Sequence, residues 1–117
     1  MNAMQFTARL TRDPEVRQLD GDKTVADLRL AIPRRRGRDG EDKGAVFIDA
    51  TAWNGLANVI GQYLHQGSRI AATGRLEYSE WETDDGSKRS KHEIVLDQVE
   101  FLDPKPAEEP VAADTLA

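Results

Sequence analysis

No cysteine occurs among the 117 residues, which excludes disulfide scaffolds, thiolate metal sites and cysteine nucleophiles together. That absence is compatible with a reducing cytosol. Histidine is nearly as scarce: His65 and His92 are the two. His65 falls opposite the apolar stripe of the helix described below, and His92 lies between Lys91 and Glu93. Neither has a second histidine or a cysteine at metal-ligand spacing. No stretch approaches the roughly 20 apolar residues that cross a bilayer. Met1 to Leu10 also lacks the basic segment and apolar run of a secretory leader. Gly-rich phosphate loops and nucleophile elbows are missing as well, and the acid pairs Glu41-Asp42 and Asp84-Asp85 sit in loop segments where solvation accounts for them. These absences argue against an enzyme, a metal or a cofactor. Aromatics are few, with two Trp, two Tyr and three Phe, so the position of each is informative.

Neither sign of charge dominates. Lys plus Arg is 16 and Asp plus Glu is 21, a net of −5. Asp103 to Ala117 hold four of the acids and one lysine, so the preceding 102 residues carry 15 basic and 17 acidic side chains. A balance this close to zero leaves the distribution as the informative quantity. Two basic clusters stand out: Arg34, Arg35, Arg36 and Arg38, then Lys88, Arg89 and Lys91.

The length predicts one domain, and period-2 alternation predicts strands. Met4, Phe6, Ala8 and Leu10 form one apolar row. After a turn at Asp20-Gly21, Ala26, Leu28, Leu30 and Ile32 form a second. Arg34 to Gly44 cannot bury enough apolar area to offset the cost of ordering it, and is expected to be a mobile loop. Ala45 to Trp53 reads as a third strand. A helix follows, with Asn54 as the expected N-cap, a stripe of Leu56, Val59, Ile60, Tyr63 and Leu64, and Gly67 as the expected left-handed terminator. Ser68 to Leu76 resumes alternation, with Ile70, Ala72 and Leu76 on one face and Gly74 marking a bulge or bend. Asp84-Asp85-Gly86 is a hairpin tip, and Ile94 to Leu102 the fifth strand. Residues 1–103 are expected to form the domain. Residues 104–117, rich in proline and acids without periodicity, are expected to be a disordered tail. Five strands with one helix between the third and fourth is the order of an OB-fold, an all-β Greek-key barrel.

The third strand carries the functional signal. Val46, Ile48, Ala50 and Ala52 suit a barrel interior, which leaves Phe47, Asp49, Thr51 and Trp53 outward. Two large rings beside an aspartate and a threonine are poor core material and need a cover. Unpaired bases supply one, because every base has a π-face and a stack on an aromatic side chain contributes about 1–3 kcal/mol. Trp81 adds a third ring in the wholly polar setting Ser79-Glu80-Trp81-Glu82-Thr83. Unbroken alternation from Leu76 gives it the outward parity of Arg69, Thr73 and Arg75. The expected nucleic-acid-contacting set is Arg34, Arg35, Arg36, Arg38, Phe47, Trp53, Arg75, Trp81, Lys88 and Arg89.

These residues lie within a wider resemblance, to the bacterial single-stranded DNA-binding protein family. The stretch from Asn2 through Leu10-Thr11-Arg12-Asp13-Pro14-Glu15-Val16-Arg17 resembles that family's first strand and following loop, and Thr24-Val25-Ala26-Asp27-Leu28-Arg29-Leu30-Ala31 its second strand. Trp53-Asn54-Gly55-Leu56-Ala57 and Tyr63-Leu64-His65-Gln66-Gly67-Ser68 resemble its helix and flanks. Gly74-Arg75-Leu76, Trp81 and Asp85-Gly86 resemble its fourth strand and long hairpin. The likeness covers about residues 1–102. It implies a homotetramer of OB-folds that binds single-stranded DNA in replication, recombination or repair, in the cytoplasm and on the nucleoid. Phe47, Trp53 and Trp81 match three stacking aromatics of the family. Arg36 stands where a fourth would be, and a guanidinium plane can also stack on a base. Glu77-Tyr78-Ser79-Glu80 is acidic where many members are basic. Longer members end in an acidic tip that docks repair and replication enzymes, whereas this sequence stops at Asp114-Thr115-Leu116-Ala117. Either a short specialised paralogue or a chain lacking its tail is expected, with no recruitment through a tip. The rival expectation is an OB-fold interaction scaffold of a nucleic-acid-processing complex, with Phe47 and Trp53 as protein anchors.

Overall fold

Alternating apolar residues cannot bury one face of a strand unless another surface covers it, and here the sheet curls to cover itself. A computed structural model describes residues 1–35, 37–40 and 44–103. It contains β1 (Met4–Leu10), β2 (Glu15–Leu19), β3 (Lys23–Pro33), β4 (Ala45–Trp53), α1 (Asn54–Tyr63), β5 (Arg69–Glu82) and β6 (Lys88–Phe101). Sheet order is β1-β5-β6-β4-β3-β2, and additional β1–β3 pairing closes the barrel. Neighbours are antiparallel except β4 and β6, which run parallel where Asp49, Ala50 and Thr51 face Glu93, Ile94 and Val95. This is the OB-like barrel with its helix between the third and fourth long strands.

The inward rows meet as alternation requires. Leu10, Val25, Leu28, Leu30, Ile60, Ile70 and Ile94 are fully buried, each contributing roughly 1.5–3 kcal/mol by leaving water. Ala8, Ala26, Ala50, Ala52 and Ala72 fill the remaining inward positions. Small side chains there let the strands approach closely enough to close a narrow barrel.

The expected bend lies at Gly74. Thr73 pairs with Gln98 and Gly74 with Leu96, so the register shifts between Thr73 and Gly74. The extra residue, Asp97, belongs to β6, and alternation along β5 is unbroken. A Cβ on Gly74 would lie 2.4 Å from the Val95 carbonyl oxygen. Only glycine admits the β6 backbone this closely.

Several local expectations are corrected. Glu15–Leu19 forms a sixth strand, paired to β3 from Glu15↔Asp27 to Leu19↔Lys23. All five of its residues are exposed, so no apolar alternation marks it in the sequence. The buried face of α1 is Ala57 and Ile60, continued by Leu64 beyond the helix, with Leu56 half-buried. Val59 and Tyr63 of the expected stripe are exposed. A short helix over a barrel end offers cover to a narrower arc than a full amphipathic face. Asn54 makes no N-cap bond: Trp53 holds the cap position without a side-chain bond, and the Asn54 Oδ1 accepts instead from the Thr24 backbone N–H. Leu64 ends α1 in extended conformation. Gly67, at φ +92°, instead shapes the following turn, where its N–H donates to the Leu10 carbonyl. Val46 and Leu76 are exposed, and Thr51, expected outward, is buried, because the start of β4 and the start of the ribbon leave the barrel core while neighbouring strands crowd Thr51.

Past Leu76, β5 and β6 continue as a two-stranded ribbon to the expected tip. There the Thr83 N–H donates to the Ser87 carbonyl, and Gly86 takes φ +85°. In the β3–β4 connection the Arg34 N–H donates to Gly44. Arg36, residues 41–43 and the expected tail, 104–117, lie outside the described residues.

At the barrel's other end, the Asp103 carboxylate accepts the Arg69 backbone N–H at 2.9 Å and its Nε at 3.4 Å. The backbone bond, above all, holds this carboxyl below its ordinary 3.8. A lowered pKa stabilises the folded state fully above the unfolded value, and the contribution is lost as pH falls through the folded one. The Asp103→Ala chain is therefore expected to have a lower urea midpoint than the parent near neutrality, with the gap closing once pH drops below 3.8. A gap that does not narrow as pH falls below 3.8 would mean that charge is not its source.

Candidate nucleic-acid interface

Strand register assembles a single outward surface from β3, β4, β6 and β5. One row runs Arg29, Asp49, Glu93, Glu77; the next runs Asp27, Thr51, Val95, Arg75. Phe47 and Trp53 flank these rows on β4. Their ring faces are open to different degrees: Phe47 is 57% exposed, Trp81 48% and Trp53 41%. Phe47 stands opposite Ala31, too small a neighbour to cover it, and borders a groove of about 690 Å³ that Arg9, Arg69 and Pro33 also line. Trp53 faces Val25 across the sheet and is half covered, without sinking beneath the helix.

Trp81 lies on the ribbon opposite Arg89. The pair shares the ribbon face of Ser79 and Lys91. Lys88, one strand position from Arg89 and paired with Glu82, shares the other face with Tyr78 and His92. Those two rings pack at 4.7 Å and 47°. Register thus brings Phe47, Trp53, Arg75, Trp81 and Arg89 to one surface and puts Lys88 behind the ribbon. Arg34, Arg35 and Arg38 are exposed in the β3–β4 connection, beyond the Phe47 end of β4. Arg36 lies outside the described residues.

Charges on this surface are largely paired. The Arg29 Nη1 lies 3.1 Å from Asp49, Lys91 Nζ 3.7 Å from Asp49 and 3.5 Å from Glu93, and Arg17 Nη2 2.8 Å from Asp27. Arg75 is held by Glu77 at 2.8 Å and Asp97 at 3.6 Å, so the acidic Glu77 is already engaged. Arg34, Arg35, Arg38, Lys88 and Arg89 form no ion pair among the described residues. Arg17, Arg29 and Lys91 are missing from the sequence-based set. Strand parity gives the outward placement of Arg29, but its partners belong to another strand. Among the described residues no group of acids, histidines or cysteines could hold a metal ion, and no helix is long and apolar enough to cross a membrane.

Residues 1–102 match the model of the single-strand binding protein family. The chain is similar to the single-stranded DNA-binding protein of Helicobacter hepaticus, 38% identical over 108 residues, which are 91% of this chain and 64% of the relative. It is 36% identical over 106 residues to that of Helicobacter pylori, covering 89% of this chain and 59% of the relative. Single-stranded DNA-binding protein B of Bacillus subtilis is 31% identical over 113 residues, 97% of this chain and 98% of the relative. The chain thus spans 64% and 59% of the length of the two Helicobacter relatives.

Proposed function

This chain belongs to the single-strand binding protein family, and on that premise we propose that it binds single-stranded DNA with little base preference and without chemistry. The observation that carries the reading is the bareness of Phe47, Trp53 and Trp81 on one outward surface. Ring faces exposed among polar neighbours stack on unpaired bases, at about 1–3 kcal/mol each. Arg34, Arg35 and Arg38 at one end, with Arg36 in the same run, and Arg89 at the other supply phosphate contacts. Lys88 reaches phosphate from the reverse of the ribbon. Arg75 positions the strand through its remaining donors. Residues 1–103 form the binding domain, and residues 104–117 are a tail beyond it. The domain works as a homotetramer, because one barrel offers little surface to wrap. Its setting is the cytoplasm and nucleoid, in replication, recombination or repair.

Two measurements test this. Added poly-dT is expected to quench tryptophan fluorescence, and affinity to fall with salt at a log–log slope of about −0.7 for each unpaired cation that meets a phosphate. Duplex DNA, its bases already stacked, is expected to bind far more weakly. Sedimentation with and without oligo-dT gives the stoichiometry and tests the tetramer. Unchanged fluorescence and a flat salt response would instead identify an interaction scaffold that uses Phe47 and Trp53 against protein.

A further inference from the structure

Asp49 lies between Phe47 and Trp53 on the outward side of β4, so a strand stacked on both rings must pass over its carboxylate. A bare carboxylate there would repel phosphate, and this one is not bare. Oδ1 takes the Arg29 guanidinium at 3.1 Å and Oδ2 lies 3.7 Å from the Lys91 ammonium, which Glu93 also approaches at 3.5 Å. Arg29 and Lys91 together are balanced by Asp49 and Glu93, and beside them Arg17 is balanced by Asp27. Each of these cations in the middle of the surface is therefore matched by a carboxylate, as Arg75 is by Glu77 and Asp97, while Arg34, Arg35, Arg38 and Arg89 at its ends form no ion pair among the described residues.

Resting on the single-strand reading, we propose that Asp49 is a specificity-determining residue that keeps Arg29 and Lys91 from phosphate and confines phosphate capture to the two ends. The consequence follows from counterion release. An unpaired cation that meets a phosphate frees a condensed counterion. A cation that leaves Asp49 for a phosphate strands a carboxylate, which takes a counterion back, so nothing is gained. Across the middle, affinity then comes chiefly from stacking, with Arg75 positioning the strand through its remaining donors. A polyanion whose bases are already paired finds no foothold there, which favours single strands over duplex.

The test compares the parent, Asp49→Asn and Asp20→Asn, using labelled oligo-dT and a labelled duplex over a range of salt. Asp20 sits exposed in the β2–β3 turn, outside the paired rows of the interface, so its variant makes the same change in net charge elsewhere. Asp49→Asn is expected to bind oligo-dT about fivefold tighter at low salt and to steepen the slope by about 0.7 or more, as Arg29 is released. It is also expected to lower the ratio of single-strand to duplex affinity several-fold. Asp20→Asn is expected to change neither slope nor ratio. Circular dichroism establishes that each variant is folded, and Asp49→Ser gives the same readout with a shorter side chain. An unchanged slope, an unchanged ratio or weaker binding in the Asp49 variants overturns the inference while the parent's binding stands. A parent that fails to bind oligo-dT overturns the single-strand reading and this inference with it.

Discussion

Replacing Trp53 and Trp81 together with alanine is expected to weaken oligo-dT binding by about 2–6 kcal/mol, from roughly thirtyfold to beyond detection. Each ring offers a face for one base, and each lost stack costs about 1–3 kcal/mol. The two sit on different strands, Trp53 at the end of β4 and Trp81 on the ribbon, so their losses should be close to additive. Because the variant has no tryptophan, binding is read by the anisotropy of labelled oligo-dT rather than by intrinsic fluorescence. The salt slope should stay near the parent value, since stacking releases no counterions. Trp81→Ala alone should leave stability unchanged, its ring being half exposed over polar neighbours. Trp53, more covered and at the helix cap, carries some stability as well, so Trp53→Phe serves as the milder variant. A double variant that folds and binds like the parent would remove the rings from the interface.

Gly74→Ala is expected to destabilise the fold by about 3 kcal/mol, a large effect for one methyl group. The added carbon would lie 2.4 Å from the Val95 carbonyl oxygen and 3.0 Å from the Ile94 side chain. Val95 is main chain, held between β5 and β4 by ladder bonds on both edges, so it cannot move aside as a flexible side chain would. Relief requires shifting β6 at the point where the register already slips. Gly55→Ala is the natural comparison: nothing lies within 4 Å of a Cβ there, and alanine favours a helix over glycine by about 1 kcal/mol. Urea midpoints should therefore move in opposite directions for the two variants, with similar m-values. Equal midpoints would show that the β5–β6 contact yields more readily than its geometry implies.

Much of the barrel is legible in the sequence. Period-2 rows placed Leu10, Leu28, Leu30 and Ile70 inside and Phe47 and Trp53 outside, because side chains alternate strictly along a strand. Glycine at position 74 announced an irregularity, and Asp85-Gly86 a tip. Elements without a buried face left no such trace. β2 is exposed along its whole length, and the ribbon beyond Leu76 lies outside the core, so neither shows an apolar rhythm. The helix pattern fitted a stripe wider than the arc that the barrel mouth covers, which is why Val59 and Tyr63 end in solvent.

The sequence by itself determined which face of each strand its side chains occupy, since that depends only on neighbours along one chain. Tertiary structure alone decided which faces meet. Cross-strand register sets Arg29 and Lys91 against Asp49, turns Lys88 to the back of the ribbon, and assigns the bulged residue to Asp97 rather than to β5. Those pairings join residues up to several dozen positions apart, and alternation along one strand carries no information about the offset of the next.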